Sequence, residues 1–488
     1  MSKKSVKKNY IYNLMYQILV MIIPLITTPY LSRVLGAENI GIYSYTLSIT
    51  MYFILFGSLG IAMYGQREIA YVQDDKEKRS KAFYEIFIVR IITLSISLLI
   101  FYITFCLKGE YITYYKILIL EIIANMVDIS WYFQGLEEFK KTVVRNTIVK
   151  LVSVVCIFSL VKNNSDLNKY FAIYVLSNVI GNLSLWIYLP KYTSKVKMKN
   201  LKILRHLKPT VMLFIPQIAT QVYTVLDKTM IGTMIADKSE VGYYEQAQKI
   251  IKLLMTIATS LGTVMMPRIA ATYSKGDKEK VREYMNTSFS FIMLLAFPLM
   301  FGIISVANKF VPLFYGSGYE KVVPLMCVIS PIIVFIGLSN VTGTQYLLPT
   351  KQQSKYTFSV VIGALVNFIL NIILIKKYAS IGASIATVIA EFCVTLTQFI
   401  LIRNSIKFKN VLSMIYKYVI ASVIMFVVSM TIGNYISSNI LSIFVQVVIS
   451  IVIYLGILIV MKDKMIKEGI NIVKNKLKWK CIFISKIK

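Results

Sequence analysis

Charge is scarce in this 488-residue chain, and acidic charge scarcer: 16% of residues are charged, with 23 Asp and Glu against 54 Lys and Arg, for a formal net charge of +31. There is one histidine, His206, and it falls in a basic linker, where it reads as solvated and without a role. The five cysteines (Cys106, Cys156, Cys327, Cys393, Cys481) form no close pair. That spacing excludes a disulfide frame and a thiolate metal site, so neither a metal nor another cofactor is expected. The nearest thing to a phosphate loop, Gly316-Ser317-Gly318-Tyr319-Glu320-Lys321, lacks the spacing of a nucleotide-binding motif and reads as a turn. No sizeable aqueous loop carries acids, bases or metal ligands, so an enzyme is not expected.

Apolar residues fill the space that charge leaves. They make up 57% of the chain, and the mean hydropathy is +0.66. A bilayer core about 30 Å thick needs roughly 20 apolar residues per helix. Fourteen runs meet that length, at about 10–36, 41–66, 83–106, 112–134, 143–162, 168–189, 209–236, 241–270, 285–306, 323–346, 355–375, 380–403, 413–435 and 439–461. None alternates as a barrel strand would. The expected class is therefore an all-α integral membrane protein with about 14 transmembrane helices.

The placement of the basic residues gives orientation. With the N-terminus inside, cytoplasmic segments hold 39 of the 54 Lys and Arg, and external loops nine. The six that remain lie within spans: Arg90, Lys116, Lys150, Lys228, Lys249 and Lys252. Both termini are expected in the cytoplasm, and the excess charge is a topology signal with attraction to anionic membrane lipids, not to nucleic acid. Met1 to Tyr10 is basic like a signal peptide, but the apolar run behind it is too long and lacks a cleavage site.

The chain repeats itself. Ile40-Gly41-Ile42-Tyr43 returns 201 positions later as Val241-Gly242-Tyr243-Tyr244, and one residue out of step Asp75-Lys76-Glu77-Lys78 recurs letter for letter as Asp277-Lys278-Glu279-Lys280. Parallel repeats in a membrane chain are a common plan of transporters. The expected organisation is an N-lobe of helices 1–6 (1–190), a basic cytoplasmic linker (191–208), a C-lobe of helices 7–12 (209–405), two further helices (406–461) and a basic amphipathic tail (462–488). In the tail, Ile466, Ile470, Val473 and Leu477 form a stripe beside Lys467, Lys474, Lys476 and Lys478, suited to lying on a leaflet.

Thr28-Pro29-Tyr30-Leu31-Ser32-Arg33-Val34-Leu35-Gly36 followed by Gly41-Ile42-Tyr43 resembles the opening of bacterial Wzx-type polysaccharide flippases. So do Asp227 to Gly232 with Val241-Gly242-Tyr243-Tyr244, Met266-Pro267-Arg268 followed by Gly276-Asp277, and Leu313-Phe314-Tyr315-Gly316 with Gly318-Tyr319. The similarity runs over roughly the first 400 residues and extends to a superfamily containing MATE multidrug extruders and lipid II flippases. It implies a MATE-like pair of six-helix bundles around a central cavity in the bacterial cytoplasmic membrane, opening alternately to either side. It also implies a cargo of undecaprenyl-diphosphate-linked oligosaccharide for capsule or O-antigen assembly, with a polymerase and glycosyltransferases as partners and a monomeric protein.

Charges inside spans are costly, and so are functional candidates. Glu245, Lys249 and Lys252 stand at i, i+4 and i+7 on one helical face, and Asp227 and Lys228 lie at similar depth on the preceding helix. Three lysines against two acids leave a site of net +1, suited to a diphosphate or an acidic sugar. The alternative is an ion-pair network that only ties helices 7 and 8 together. Gln217, Gln221, Gln246 and Gln248 add groups able to hydrogen-bond sugars, and Arg33 and Arg90 add cations in the first copy. Arg90 can equally snorkel to the inner surface. Glu121, Asp128 and Glu391 are candidates for ion coupling, with interhelical hydrogen bonding as the plainer role; Glu121 and Asp128 are seven apart on one helical face. At the positions of Asp227, Lys228, Glu245, Lys249 and Lys252 the first copy has Ile26, Thr27, Ser44, Ser48 and Met51, so the charge is peculiar to the second. Rival readings are a MATE-like cation-coupled antiporter, which needs an acid-dominated cavity, a lipid II flippase, and a membrane glycosyltransferase or polymerase.

Overall fold

The computed structural model describes residues 6–405, 408–468 and 470–471, except for the side chains of 6–17, 198, 215–217, 219–224, 408–410 and 412. Helices α1 (Val6–Ser58), α2 (Ile61–Tyr71) and α3 (Lys76–Phe101) open the chain, and α3 runs on into a π-helical turn, Tyr102–Cys106. Next come α4 (Ile112–Met126), α5 (Ser130–Gly135), α6 (Phe139–Leu160), α7 (Leu167–Ser184), α8 (Leu189–Tyr192), α9 (Leu207–Met234) and α10 (Ser239–Thr259). The remainder comprises α11 (Gly262–Ser274), α12 (Lys278–Tyr315), α13 (Val322–Ile329), α14 (Ile332–Ser339), a π-helix at Asn340–Leu347, α15 (Gln353–Leu401), α16 (Phe408–Tyr435) and α17 (Asn439–Val460). No strand occurs among the described residues.

Ten helical stretches among the described residues are long and apolar enough to cross a membrane, so the chain is a multi-pass membrane protein. Two of the ten are kinked inside a single helix. The stretch Ile18–Tyr71 breaks at Gly36, at φ 74°, between the expected spans 10–36 and 41–66. Gln353–Leu401 breaks at Ala379, at φ 49°, between 355–375 and 380–403. The runs expected at 112–134 and 209–236 are helical, as α4 with α5 and as α9, but are not among the ten. Outward faces are apolar: Ile148, Leu151, Val152 and Val155 on α6 are all at least half exposed, a surface suited to lipid and insoluble in water.

The chain forms two compact units, residues 1–245 and 246–488. In the first, an aromatic core of Phe83, Trp131, Tyr132 and Phe133 gathers where α2, α3 and α5 meet. Gly65 lies directly beneath Trp131; a Cβ there would come within 2.4 Å of the indole. In the second, α16 and α17, outside the repeat, pack on α12 and on each other, with Tyr454 of α17 donating to the Leu294 carbonyl of α12 at 2.9 Å and Gln446 of α17 to the Ser429 carbonyl of α16 at 2.9 Å.

Two features of the repeat have a direct physical origin. Asp75 accepts from the backbone N–H of Glu77 and of Lys78, both at 3.0 Å, and Asp277 accepts from that of Lys280 at 3.0 Å. The recurring Asp-Lys-Glu-Lys is thus a helix start, with an N-capping carboxylate and a glutamate in the first turn of α3 and α12. The N–H of Lys78 and its ammonium hold the Asp75 carboxyl below its ordinary range. The repeated glycine is a crossing point. A Cβ on Gly41 would lie 1.7 Å from the Lys238 carbonyl oxygen, and one on Gly242 would lie 2.1 Å from that of Ala37. Since Ala37 and Lys238 are themselves 201 apart, repeat-related backbones meet reciprocally, which only glycine permits.

Candidate functional site

The second copy's charges form pairs where α9 turns back into α10. Lys228 Nζ lies 3.0 Å from Glu245 Oε2, both side chains about one-fifth exposed. The neighbouring Asp227 is buried and accepts the hydroxyl hydrogen of Tyr244. Antiparallel α9 and α10 therefore bring residues 17 apart in sequence into contact, as their comparable depth requires. Around them, Ser48 and Thr229 share a hydrogen bond of 2.8 Å, and Lys238 donates to the Gly232 carbonyl at 2.8 Å with its ammonium 5.3 Å from the Tyr45 ring. Gly232 allows that ring to approach α9 closely, since a Cβ would come 2.1 Å from it.

Farther along α10, in the second unit, Gln246 and Gln248 are buried, Lys249 is half-buried and Lys252 is exposed. The Gln246 carbonyl accepts the Tyr315 hydroxyl at 2.9 Å. The side chains of Gln217 and Gln221 lie outside the described residues.

In the first unit Arg33 is exposed. Arg90 does not snorkel: it is 2% exposed, donates through Nε to the Asn125 carbonyl at 2.7 Å, and places Nη2 3.8 Å from Asp128. Asp128 is not on one helical face with Glu121. The helix ends at Met126, and Asp128 sits in the break, accepting from the Ser130 N–H at 2.9 Å and from its hydroxyl. The break uncovers the Asn125 carbonyl, which the Arg90 guanidinium takes up. Glu121 is 4% exposed, and the Asn178 amide nitrogen on α7 donates to its carboxylate, 2.9 and 3.1 Å from the two oxygens. Beyond it Tyr43 packs against Tyr170 and Tyr174, with ring centroids 4.7 and 5.7 Å away. Glu391 is 8% exposed within α15. Glu121, Arg90 and Asp128 thus belong to one unit and Glu391 to the other.

His206 overturns its expectation. It is 3% exposed, with Nδ1 2.7 Å from the Tyr64 hydroxyl and Nε2 2.8 Å from Glu85 Oε2. Glu85, fully buried, also accepts from the Lys202 N–H at 2.6 Å and from Arg205 at 2.9 and 2.5 Å. The basic linker is therefore not loose: one carboxylate from α3 ties three of its residues to the first unit. Arg79 and Tyr132 add hydrogen bonds to the Tyr192 carbonyl at 3.0 and 3.1 Å. The available sequence signal was Glu85 itself, an acid at the edge of an apolar run facing a basic segment. The Gly316–Lys321 segment is a turn, with Gly316 and Gly318 at φ 90° and 83° and the Gly318 N–H bonded to Glu320 at 3.0 Å. Among the described residues no group of three His, Cys, Asp or Glu side chains is arranged to hold a metal ion. Tail residues Val473, Lys474, Lys476, Leu477, Lys478 and Cys481 lie outside the described residues.

Comparison with known proteins gives two family matches. The family described as polysaccharide biosynthesis protein matches residues 6–273, and that described as lipid II flippase MurJ matches residues 148–456. The chain is similar to a protein of Escherichia coli (strain K12) named, provisionally, as an O-antigen transporter: 25% identical over 409 residues, 83% of this chain and 98% of that one. Among solved structures, a lipid II flippase MurJ in an inward closed conformation matches with a TM-score of 0.77 at 17% identity, covering 93% of this chain and all of that one. An inward-facing MATE family multidrug resistance transporter of the MOP superfamily matches at 0.60 and 13% identity, over 80% of this chain and 95% of that one. At such identities these two likenesses concern the fold alone.

Proposed function

The chain belongs to the polysaccharide biosynthesis protein family, and from that premise we propose that it is a flippase for undecaprenyl-diphosphate-linked oligosaccharide repeat units. It is a transporter, not a catalyst. It receives the lipid-linked sugar at the inner leaflet of a bacterial cytoplasmic membrane, with its termini in the cytoplasm, and releases it at the outer leaflet by alternating access of two six-helix lobes, 1–190 and 209–405. A polymerase and glycosyltransferases working on the same repeat unit are its proposed partners.

The observation that carries the reading is the cationic face of α10. Within a membrane-crossing helix, Lys249 is half-buried and Lys252 exposed on the face that begins with Glu245. Intramembrane lysines are functional candidates, and their positive charge suits a lipid-linked diphosphate. Glu245 is engaged by Lys228 and Asp227 by Tyr244, an arrangement unlike the acid-dominated site of a cation-coupled drug antiporter. Gln246 and Gln248 flank this face as sugar-binding groups, with Gln217, Gln221, Arg33 and Arg90 as further contacts. Glu121, Asp128 and Glu391 are proposed to couple ion movement to export.

Replacing Lys249 and Lys252 together by alanine is expected to lower surface polysaccharide export more than it lowers the amount of protein in the membrane. Unchanged export would sink the cationic site. A second reading, a lipid II flippase, is supported by the match over residues 148–456. Loss of the gene separates the two: stripping only the surface polysaccharide fits the first, and loss of viability the second.

A further inference from the structure

Lys150 occupies the middle of α6, eleven residues from Phe139 and ten from Leu160, about 15 Å from either end at 1.5 Å per residue. That is too deep for its four-carbon stem to reach an interface. The exposed face of α6, at residues 148, 151, 152 and 155, turns to lipid, while Asn146, Lys150 and Ser153 turn the other way. There they line a cavity of about 290 Å³ closed by Thr27 and its neighbours on α1 and by Tyr174 and Asn178 on α7.

Among the described residues that line this cavity, Lys150 is the one charged side chain. The Lys150 ammonium makes no hydrogen bond or ion pair with a described residue, and neither does the Asn146 amide. Ser153 bonds Ser177 at 2.7 Å. Glu121 does not line the cavity, and its carboxylate accepts from the Asn178 amide nitrogen. An uncompensated ammonium at mid-membrane depth costs several kcal/mol, and the surrounding donors, an amide NH2 and tyrosine hydroxyls, are those that complete the coordination of an anion. Each water occupies about 30 Å³ of liquid volume, so the cavity has room for a small anion with residual water. One lysine matches one negative charge.

We propose that this cavity is an anion site, separate from the Lys228–Glu245 cluster, that binds a small monoanion of the halide or carboxylate class as the counter-ion of Lys150, with Asn146 as its second donor. The site stands whatever the cargo is. The carboxylate could arrive free or as part of a uronic sugar; the shared chemistry is one negative charge in a hydroxyl-lined pocket.

The test is chloride-35 NMR line broadening on the purified full-length chain in detergent, comparing wild type with Lys150→Met at equal concentration. The difference cancels exchange at the many surface cations. Wild type is expected to show excess broadening that titrates with chloride, and Lys150→Met to weaken that component at least tenfold. Lys150→Arg should retain it, and a monodisperse gel-filtration profile controls for folding. Adding sodium galacturonate distinguishes the sources: competition assigns a carboxylate, and indifference a halide, both supporting the site. Broadening equal in wild type and Lys150→Met overturns the proposal, as does loss of the component in Lys150→Arg with the fold intact.

Discussion

Substituting alanine at Gly41 or Gly242 tests the reciprocal crossing of the two repeats. A Cβ at Gly41 would stand 1.7 Å from the Lys238 carbonyl oxygen. An ordinary contact is about 3.4 Å, so the backbones must part by roughly 1.5 Å. Parting them re-exposes about 100 Å² of packed surface, about 2.5 kcal/mol at 25 cal/mol per Å², and disturbs the Ser48–Thr229 hydrogen bond, worth about 1 kcal/mol. Alanine's better helix propensity returns about 1 kcal/mol. Each single substitution should therefore destabilise by about 2–3 kcal/mol, within the range known for overpacking. The double substitution is the sharper experiment. The separation that accommodates one methyl accommodates most of the other, so the double variant should cost clearly less than the sum, by about 1 kcal/mol or more. Equilibrium unfolding in mixed micelles with increasing SDS, followed by tryptophan fluorescence, measures all three. Additivity within about 0.5 kcal/mol would show that the two contacts are independent, and the reciprocal geometry would be refuted.

Other consequences are open to simpler assays. Glu85→Ala leaves Arg205, His206 and the Lys202 N–H without their shared acceptor; it should destabilise by about 3 kcal/mol and speed tryptic cleavage between Lys195 and Lys208, and an unchanged digestion rate would contradict the tie. Glu121→Gln keeps a hydrogen-bonding partner for Asn178 while removing the titratable group, so near-normal protein levels with export no longer responsive to a proton gradient are expected; a retained response would exclude Glu121 from coupling. The Asp75 carboxyl is held below its ordinary range by the Lys78 N–H and ammonium. Its contribution is present above the unfolded value of about 4 and fades as pH falls through the lower folded value. Amide exchange at Glu77 and Lys78 should accordingly quicken toward acid pH, relative to the intrinsic rate, in wild type and not in Asp75→Asn.

Much of this was legible along the chain because a bilayer imposes a one-dimensional code. Span length and apolar composition follow from membrane thickness, and Gly36, a residue free to take φ 74°, marks the bend between the first two runs. The matching bend at Ala379 carries no such mark, since alanine at φ 49° is held by its surroundings. The break at 127–129 is also silent: Val-Asp-Ile contains neither proline nor glycine, so Asp128 looks helical until Arg90 and Ser130 are seen to claim it. His206 departs from its expectation for the same reason. A histidine among lysines is solvated by default, and only the approach of Tyr64 and Glu85 from other helices buries it.

The sequence alone determined the solvent, the approximate spans, the duplication and the charges peculiar to its second copy, because each depends on composition or on spacing along one helix. The tertiary structure decided which of those charges meet: Lys228 with Glu245, Asp227 with Tyr244, Glu121 with Asn178, and Lys150 with no partner among the described residues. Pairing in low dielectric is fixed by a few ångströms between groups on different helices, and helical periodicity says which face a residue occupies but not what stands opposite it.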